Sequence, residues 1–204
     1  MPEAKLDLCK LHAAEYVAPK KPELVKTRPA KYLAIAGRGK PGDELFQSQI
    51  GSLYGAAYTL KMASKAAGQD YKVATLEGLY WGDDPASCLF DQPLEAMNWK
   101  LLIRTPDFIT QKQLKEATAA LEKKGKAPQA RDGKLEKLNE GLCVQMLHVG
   151  PYAAEGKTIA LMMALAKENG LAPNGPHHEI YLSDPRRVPE ERLKTILRMP
   201  VRKS

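Results

Sequence analysis

Apolar and polar residues alternate most regularly between two turns near the C-terminal end, Gly175-Pro176 and Asp184-Pro185. The period of two across residues 177–183 predicts a β-strand. One face would carry His178, Ile180 and Leu182, the side expected to meet covering helices. The other would carry His177, Glu179, Tyr181 and Ser183, which sets a carboxylate beside an aromatic ring. On the solvent side of an antiparallel strand such residues are ordinary; inside a dry cleft the acid would be costly to bury without a purpose.

The same pattern places the other elements. Residues 31–36 read as a strand ended by Gly37-Arg38-Gly39-Lys40-Pro41-Gly42, a turn that lacks the phosphate-loop pattern. Asp43 then caps a helix whose stripe is Phe46, Ile50, Leu53, Ala57 and Leu60, with Tyr54 and Tyr58 at its edge and an end near Gly68. Strands follow at 71–81 and 97–105, separated by a loop from Gly82 to about Glu95. Residues 110–124 form a polar-faced helix, and 125–141 a basic connection. A strand at 142–149, a helix at 153–169, the strand described first and a last one at 194–201 complete the order.

The order β-α-β-β therefore occurs twice, in 31–105 and 142–201, with 106–141 as connector. Neither unit buries its sheet alone, so the two are expected to combine into one domain over 31–204. The predicted fold class is α+β: two pseudo-symmetric units sharing antiparallel sheet, with helices on one side and an aromatic-lined ligand cleft on the other. Residues 1–30 hold Pro2, Pro19, Pro22 and Pro29 among lysines. They read as an arm packing on the body through Leu6, Leu8, Leu11 and Tyr16, with a short strand at 5–11.

Composition narrows the function classes. A 204-residue chain with 44% hydrophobic residues supports an ordinary core, and its net charge of +7 comes from basic residues scattered from Lys5 to Lys203. Scattered charge gives little sign of a nucleic-acid surface. Cys9, Cys88 and Cys143 share no metal or disulfide spacing, which suits a reducing, cytoplasmic setting. No apolar run is long enough to span a membrane, and no targeting segment is evident at the start.

Four motifs together, Leu76-Glu77-Gly78-Leu79-Tyr80-Trp81, Asn98-Trp99-Lys100, His148-Val149-Gly150-Pro151-Tyr152 and His178-Glu179-Ile180-Tyr181-Leu182-Ser183-Asp184-Pro185, make the chain resemble the gyrase-inhibitor-like (GyrI-like) small-molecule-binding family over nearly its whole length. The resemblance implies two β-α-β-β units with pseudo-twofold symmetry. It further implies a cage for planar aromatic or lipophilic cationic xenobiotics, with Tyr80, Trp81, Trp99, Tyr152 and Tyr181 as rings and Glu179 as acid. Tyr54 and Tyr58 are weaker candidates, and Glu77 is the runner-up acid. No helix-turn-helix pattern precedes the domain, so direct DNA binding is not expected. The chain is most similar to a stand-alone subfamily, some of whose members hydrolyse the cyclopropane ring of DNA-alkylating natural products.

For that chemistry the expected roles are Glu179 as base toward water and Tyr152 or Tyr181 as donor to the developing oxyanion. A non-catalytic sensor or sequestering module, or a protein that contacts gyrase, are the alternatives. His177 and His178 point to opposite strand faces, so no metal site is expected from them and His148, and no cofactor is implied. Cys143 and Ser183 have no evident base partner for a nucleophilic triad.

Overall fold

The computed structural model describes residues 5–83 and 94–204. Two short helices, α1 (Leu8–Leu11) and α2 (Ala13–Tyr16), precede β1 (Glu23–Lys26) and β2 (Ala30–Gly39). Then come α3 (Glu44–Ala66), β3 (Leu76–Trp81), β4 (Met97–Arg104), α4 (Gln111–Glu122) and β5 (Lys134–Leu138). The second half contains β6 (Leu142–Val149), α5 (Glu155–Glu168), β7 (Leu171–Pro173), β8 (His177–Tyr181) and β9 (Lys194–Lys203). The loop expected after Gly82 falls largely at 84–93, outside the described residues, as does Cys88.

Local signals set the helix starts. The Asp43 carboxylate accepts from the Phe46 amide at 2.8 Å, and Thr110 with Gln113 forms a capping box on α4. Both satisfy amides that a helix N-terminus leaves open.

The strands form one antiparallel sheet in the order β1-β6-β9-β8-β3-β4-β2-β5, with β7 added beside β9. Each β-α-β-β unit contributes three adjacent strands, β2-β4-β3 and β8-β9-β6, and the units meet where β3 pairs with β8. The outer strands are exchanged: β1, before the first unit, joins β6 of the second, and β5, before the second, joins β2 of the first. The sequence reading lacked β1, β5 and β7, because four polar-rich residues, a lysine-rich connector and a three-residue strand offer almost no periodicity. The strand expected at 5–11 is instead a single bridge from Leu6 to Tyr71, followed by α1.

Register assigns the faces. The cross-sheet row Ile35–Leu101–Gly78–Glu179–Leu197–Met146 lies on one side. That side carries the helices: α3 and α4 pack on β2, β3 and β4 through Leu53, Ala57, Leu60, Leu114 and Leu121. There α5 packs on β6 and β9 through Ile159, Met162 and Ala166. The face of β8 that meets the helices is thus that of Glu179 and Tyr181, the reverse of the sequence expectation. His178 and Ile180 face the arm, whose Tyr16 and Ala18 pack with Ile180 and Ile196.

Beneath the arm lies a buried ionic lattice. The His178 ring nitrogens sit 3.0 Å from Glu77 Oε2 and 2.9 Å from Glu140 Oε1, so both nitrogens must donate and the ring is an imidazolium. Arg198 donates to Glu140 at 3.3 Å, to Gln145 and to the Glu15 carbonyl. Arg104 pairs with Glu15 at 2.9 Å, and the Tyr16 hydroxyl donates to Glu77 at 2.6 Å. Glu15, Glu77 and Glu140 thereby balance Arg104, Arg198 and His178, which makes buried charge tolerable.

Burial alone would lower the His178 pKa, yet the Glu140 and Glu77 carboxylates raise it to about 9. Burial opposes ionisation of Glu140 too, but His178 and Arg198 bring its pKa down to about 2. Stability from His178 is complete below its ordinary value of 6.5 and lost as pH climbs through about 9. Stability from Glu140 is complete above 4.5 and lost as pH falls toward about 2. We expect the melting temperature, followed by thermal unfolding across pH, to decline between about pH 6.5 and 9. His178→Gln should flatten that decline while lowering the midpoint at pH 6, because it leaves two buried acids without their cation.

Candidate functional site

The helices do not cover the seam between the two units. Between α3 and α5, above β3 and β8, lies a cavity of about 1240 Å³. Its walls include Phe46, Ile50, Tyr54 and Tyr58 from α3, Tyr80 from β3, Met97 from β4, Tyr152 and Glu155 at the start of α5, and Glu179 and Tyr181 from β8. Asp184, Arg186 and Arg187 also contribute to the lining. The cleft is therefore on the helices' own face, where the sequence had put it on the opposite one. Each unit's helix covers its own strands and leaves the seam open.

Three phenol and carboxylate groups form a chain in the floor. The Tyr181 hydroxyl donates to Glu179 Oε2 at 2.8 Å, and the Tyr80 hydroxyl lies 2.5 Å from that of Tyr181. Since the Tyr181 proton is committed to Glu179, Tyr80 donates to Tyr181. Burial, followed by the charge of Glu179, raises both phenols well above the usual tyrosine range, so both stay protonated donors. Gly78 makes room for this chain. It sits directly opposite Glu179, and a Cβ there would lie 2.7 Å from the Tyr80 hydroxyl oxygen.

Aromatic packing supports the floor. Phe46 stacks on Tyr80 with centroids 6.5 Å apart and meets Trp99 edge-on at 5.2 Å. Tyr152 meets Tyr181 edge-on at 5.9 Å, and Tyr54 stacks on Tyr58 at 6.2 Å.

Of the expected cage, Tyr80, Tyr152, Tyr181 and Glu179 do line the cavity. Trp99 does not: it is fully buried below Phe46, where its indole N–H donates to Gln49 Oε1 at 2.7 Å. Gly37 permits this, since a Cβ there would lie 2.5 Å from the indole nitrogen. Trp81 is on the reverse face, packed against Tyr32, Leu79 and Leu102. An odd offset from Tyr80 decides that placement, because alternate residues of a strand face opposite sides. Glu77, the runner-up acid, belongs to the reverse-face lattice. The weaker candidates Tyr54 and Tyr58 are in the wall.

Glu155 is the acid that the sequence reading missed. It opens α5 and is only 2% exposed, and its Oε1 has no hydrogen-bond partner among the described residues. A helix N-terminus favours a carboxylate, yet burial and then the charge of Glu179 push its pKa up to about 10. Desolvation wins because the group is enclosed and a second acid faces it. Acids in the first turn of a helix are commonplace, so nothing local marked this one.

Glu155, His177 and Glu179 each offer one ligand atom, all within 4.8 Å of one another. Among the described residues these are the groups that could converge on a cation. His177 Nε2 is 3.5 Å from Glu179 Oε1. Of the other histidines, His12 lies in the arm, His148 bonds Thr158 and the Pro151 carbonyl, and His178 lies in the lattice on the reverse face.

Residues 106–202 match the GyrI-like small molecule binding domain. An uncharacterized conserved protein from Listeria innocua is 36% identical, with a TM-score of 0.88 over 97% of this chain and 100% of that one. A hydrolase from Listeria innocua is 37% identical, with a TM-score of 0.85 over 97% of this chain and 100% of that one. Likeness of this extent places the chain in a class of small-molecule-binding proteins, and it belongs to the GyrI-like family. The C-terminal domain of EcmrR, 12% identical over 90% of this chain and 98% of that one, shares the fold with a TM-score of 0.57. No curated protein matches the chain.

Between about pH 4.5 and 10 the unfolded chain ionises Glu155 while the fold resists, so this residue makes stability fall as pH rises. Glu155→Gln should raise the melting temperature. The gain over the parent should grow steadily from about pH 5 to 9, as read by thermal unfolding in matched buffers.

Proposed function

We propose that the seam cavity captures planar aromatic or lipophilic cationic xenobiotics and hydrolyses those that carry an electrophilic cyclopropane. The observation that carries this reading is the pairing of Glu179, held by Tyr181, with a protonated Glu155 inside an aromatic cavity. Phenol and phenyl faces bind flat molecules by area burial and attract cations, each well-placed cation contact contributing about 0.5–2 kcal/mol. The hydrolase from Listeria innocua supports the catalytic part, as does the resemblance to cyclopropane-opening relatives.

In the reaction a water attacks the ring methylene of a cyclopropane conjugated to a carbonyl. The breaking C–C bond sends its electron pair into the conjugated system and onto the carbonyl oxygen. Glu179 takes a proton from the water. The Tyr181 proton is already committed to Glu179, so the expected oxyanion donor shifts to the Glu155 carboxyl, with Tyr152 beside it. One proton has then entered the acid pair at Glu179 and one has left it at Glu155, and a transfer between the two restores the start. The aromatic walls hold the substrate against the acids, and positioning supplies much of the acceleration.

The test is to incubate the protein with a cyclopropane-containing alkylator and follow the water adduct by mass spectrometry. Turnover above buffer is expected. Glu179→Gln should reduce the rate roughly 10²- to 10⁴-fold while the aromatic walls still bind the compound. Saturable binding without any adduct would leave capture alone.

A further inference from the structure

We infer that the acid pair selects, among the cations the cavity admits, those carrying planar N–H donors: an amidinium or guanidinium on an aromatic frame, bridging Glu155 and Glu179. The inference rests on the proposed small-molecule reading of the cavity and names the ligand class within it.

Charge alone does not distinguish cations, since a quaternary ammonium or phosphonium neutralises a carboxylate as well as an amidinium does. The distinguishing feature is the Glu155 carboxyl. It is a cavity-lining group only 2% exposed, and its Oε1 lacks a hydrogen-bond partner among the described residues. A buried acceptor gains a bond only from a ligand with an N–H or O–H, and a quaternary cation has none.

Geometry selects the planar fork. The ligand-atom positions of Glu155 and Glu179 lie within 4.8 Å of each other. A flat cation with several N–H groups in one plane can donate to two acceptors at that separation with charge-assisted bonds of about 2.7–2.9 Å. Glu179 Oε2 already accepts from Tyr181, and its Oε1 lies 3.5 Å from His177 Nε2. The rings of Phe46, Tyr80, Tyr152 and Tyr181 border the same space and suit an aryl group continuing from the cation.

The experiment is calorimetric titration of the full chain with 4-amidinobiphenyl and with its trimethylammonium isostere. The amidinium should bind on the order of ten- to a hundredfold more tightly, as hydrogen bonds to charged groups do. Glu155→Met, which keeps the volume and removes the acceptor, should bring the amidinium down to the level of the isostere and leave the isostere within about twofold. Glu155→Gln keeps a carbonyl acceptor and should retain part of the preference. Equal affinities in the parent protein, or a preference that survives in Glu155→Met, would overturn the inference while the cavity reading stands. Binding of neither compound would sink both. Thermal unfolding of each variant separates lost selectivity from lost folding.

Discussion

The pairing of β3 with β8 is the constraint on which the rest depends. It is the seam between the two β-α-β-β units, and its register sets Gly78 opposite Glu179. Because the side-chain period of a strand is two, a slip of one residue would turn Glu179 toward the arm and His178 into the aromatic cavity. Both faces resist such a slip. On one side His178 is bonded to two carboxylates at once. On the other, the space above Gly78 is taken by the Tyr80 phenol, so only a residue without a Cβ fits across from the acid.

Consecutive residues of β8 meet buried charge in opposite ways. His178 enters a lattice in which acids and bases match, and its pKa and that of Glu140 both move toward the ionised form. Glu179 enters a cavity where a second buried acid faces it, and the conflict is relieved by keeping a proton on Glu155. The first arrangement fastens the arm to the sheet; the second leaves an acid and a base side by side in apolar surroundings. A buried acid with an open oxygen is destabilising. Such a cost is commonly retained where a site needs groups poised away from their resting chemistry.

Periodicity was enough to recover the repeated units, because long strands and helices with one buried face carry their own pattern. The stripe from Phe46 to Leu60 and the alternation of residues 177–183 are of this kind. Alternation also separated His177, Glu179 and Tyr181 from His178 and Ile180. It could not say which set meets the helices, since both sides of β8 are largely buried: an arm covers one and aromatic rings the other. Trp99 and Trp81 were drawn into the cage as aromatic residues of the right motifs. One is held under Phe46 by Gln49, a contact between residues fifty apart, and the other lies one position out of phase with Tyr80. Glu155 was hidden because its burial beside His177 and Glu179 arises only in the fold and leaves no mark in the local helix pattern.

The location of the cavity follows from the repeat, while its chemistry follows from a breach of that symmetry. Two related units meeting at paired strands leave a trough above their seam, whichever side chains they carry, because each helix covers the sheet of its own unit. Across that trough the first unit offers Gly78 and Tyr80, and the second offers Glu179, Tyr181 and Glu155. Both carboxyl groups thus come from one side and the space they face from the other. The Tyr80–Tyr181–Glu179 chain itself crosses the seam, from β3 of the first unit to β8 of the second. Gathered on one wall, the two acids can share a proton and still present a single polar end to a ligand whose remaining surface meets rings. The exchanged outer strands β1 and β5 hold the halves in that relation, since each unit completes its sheet with a strand that precedes the other.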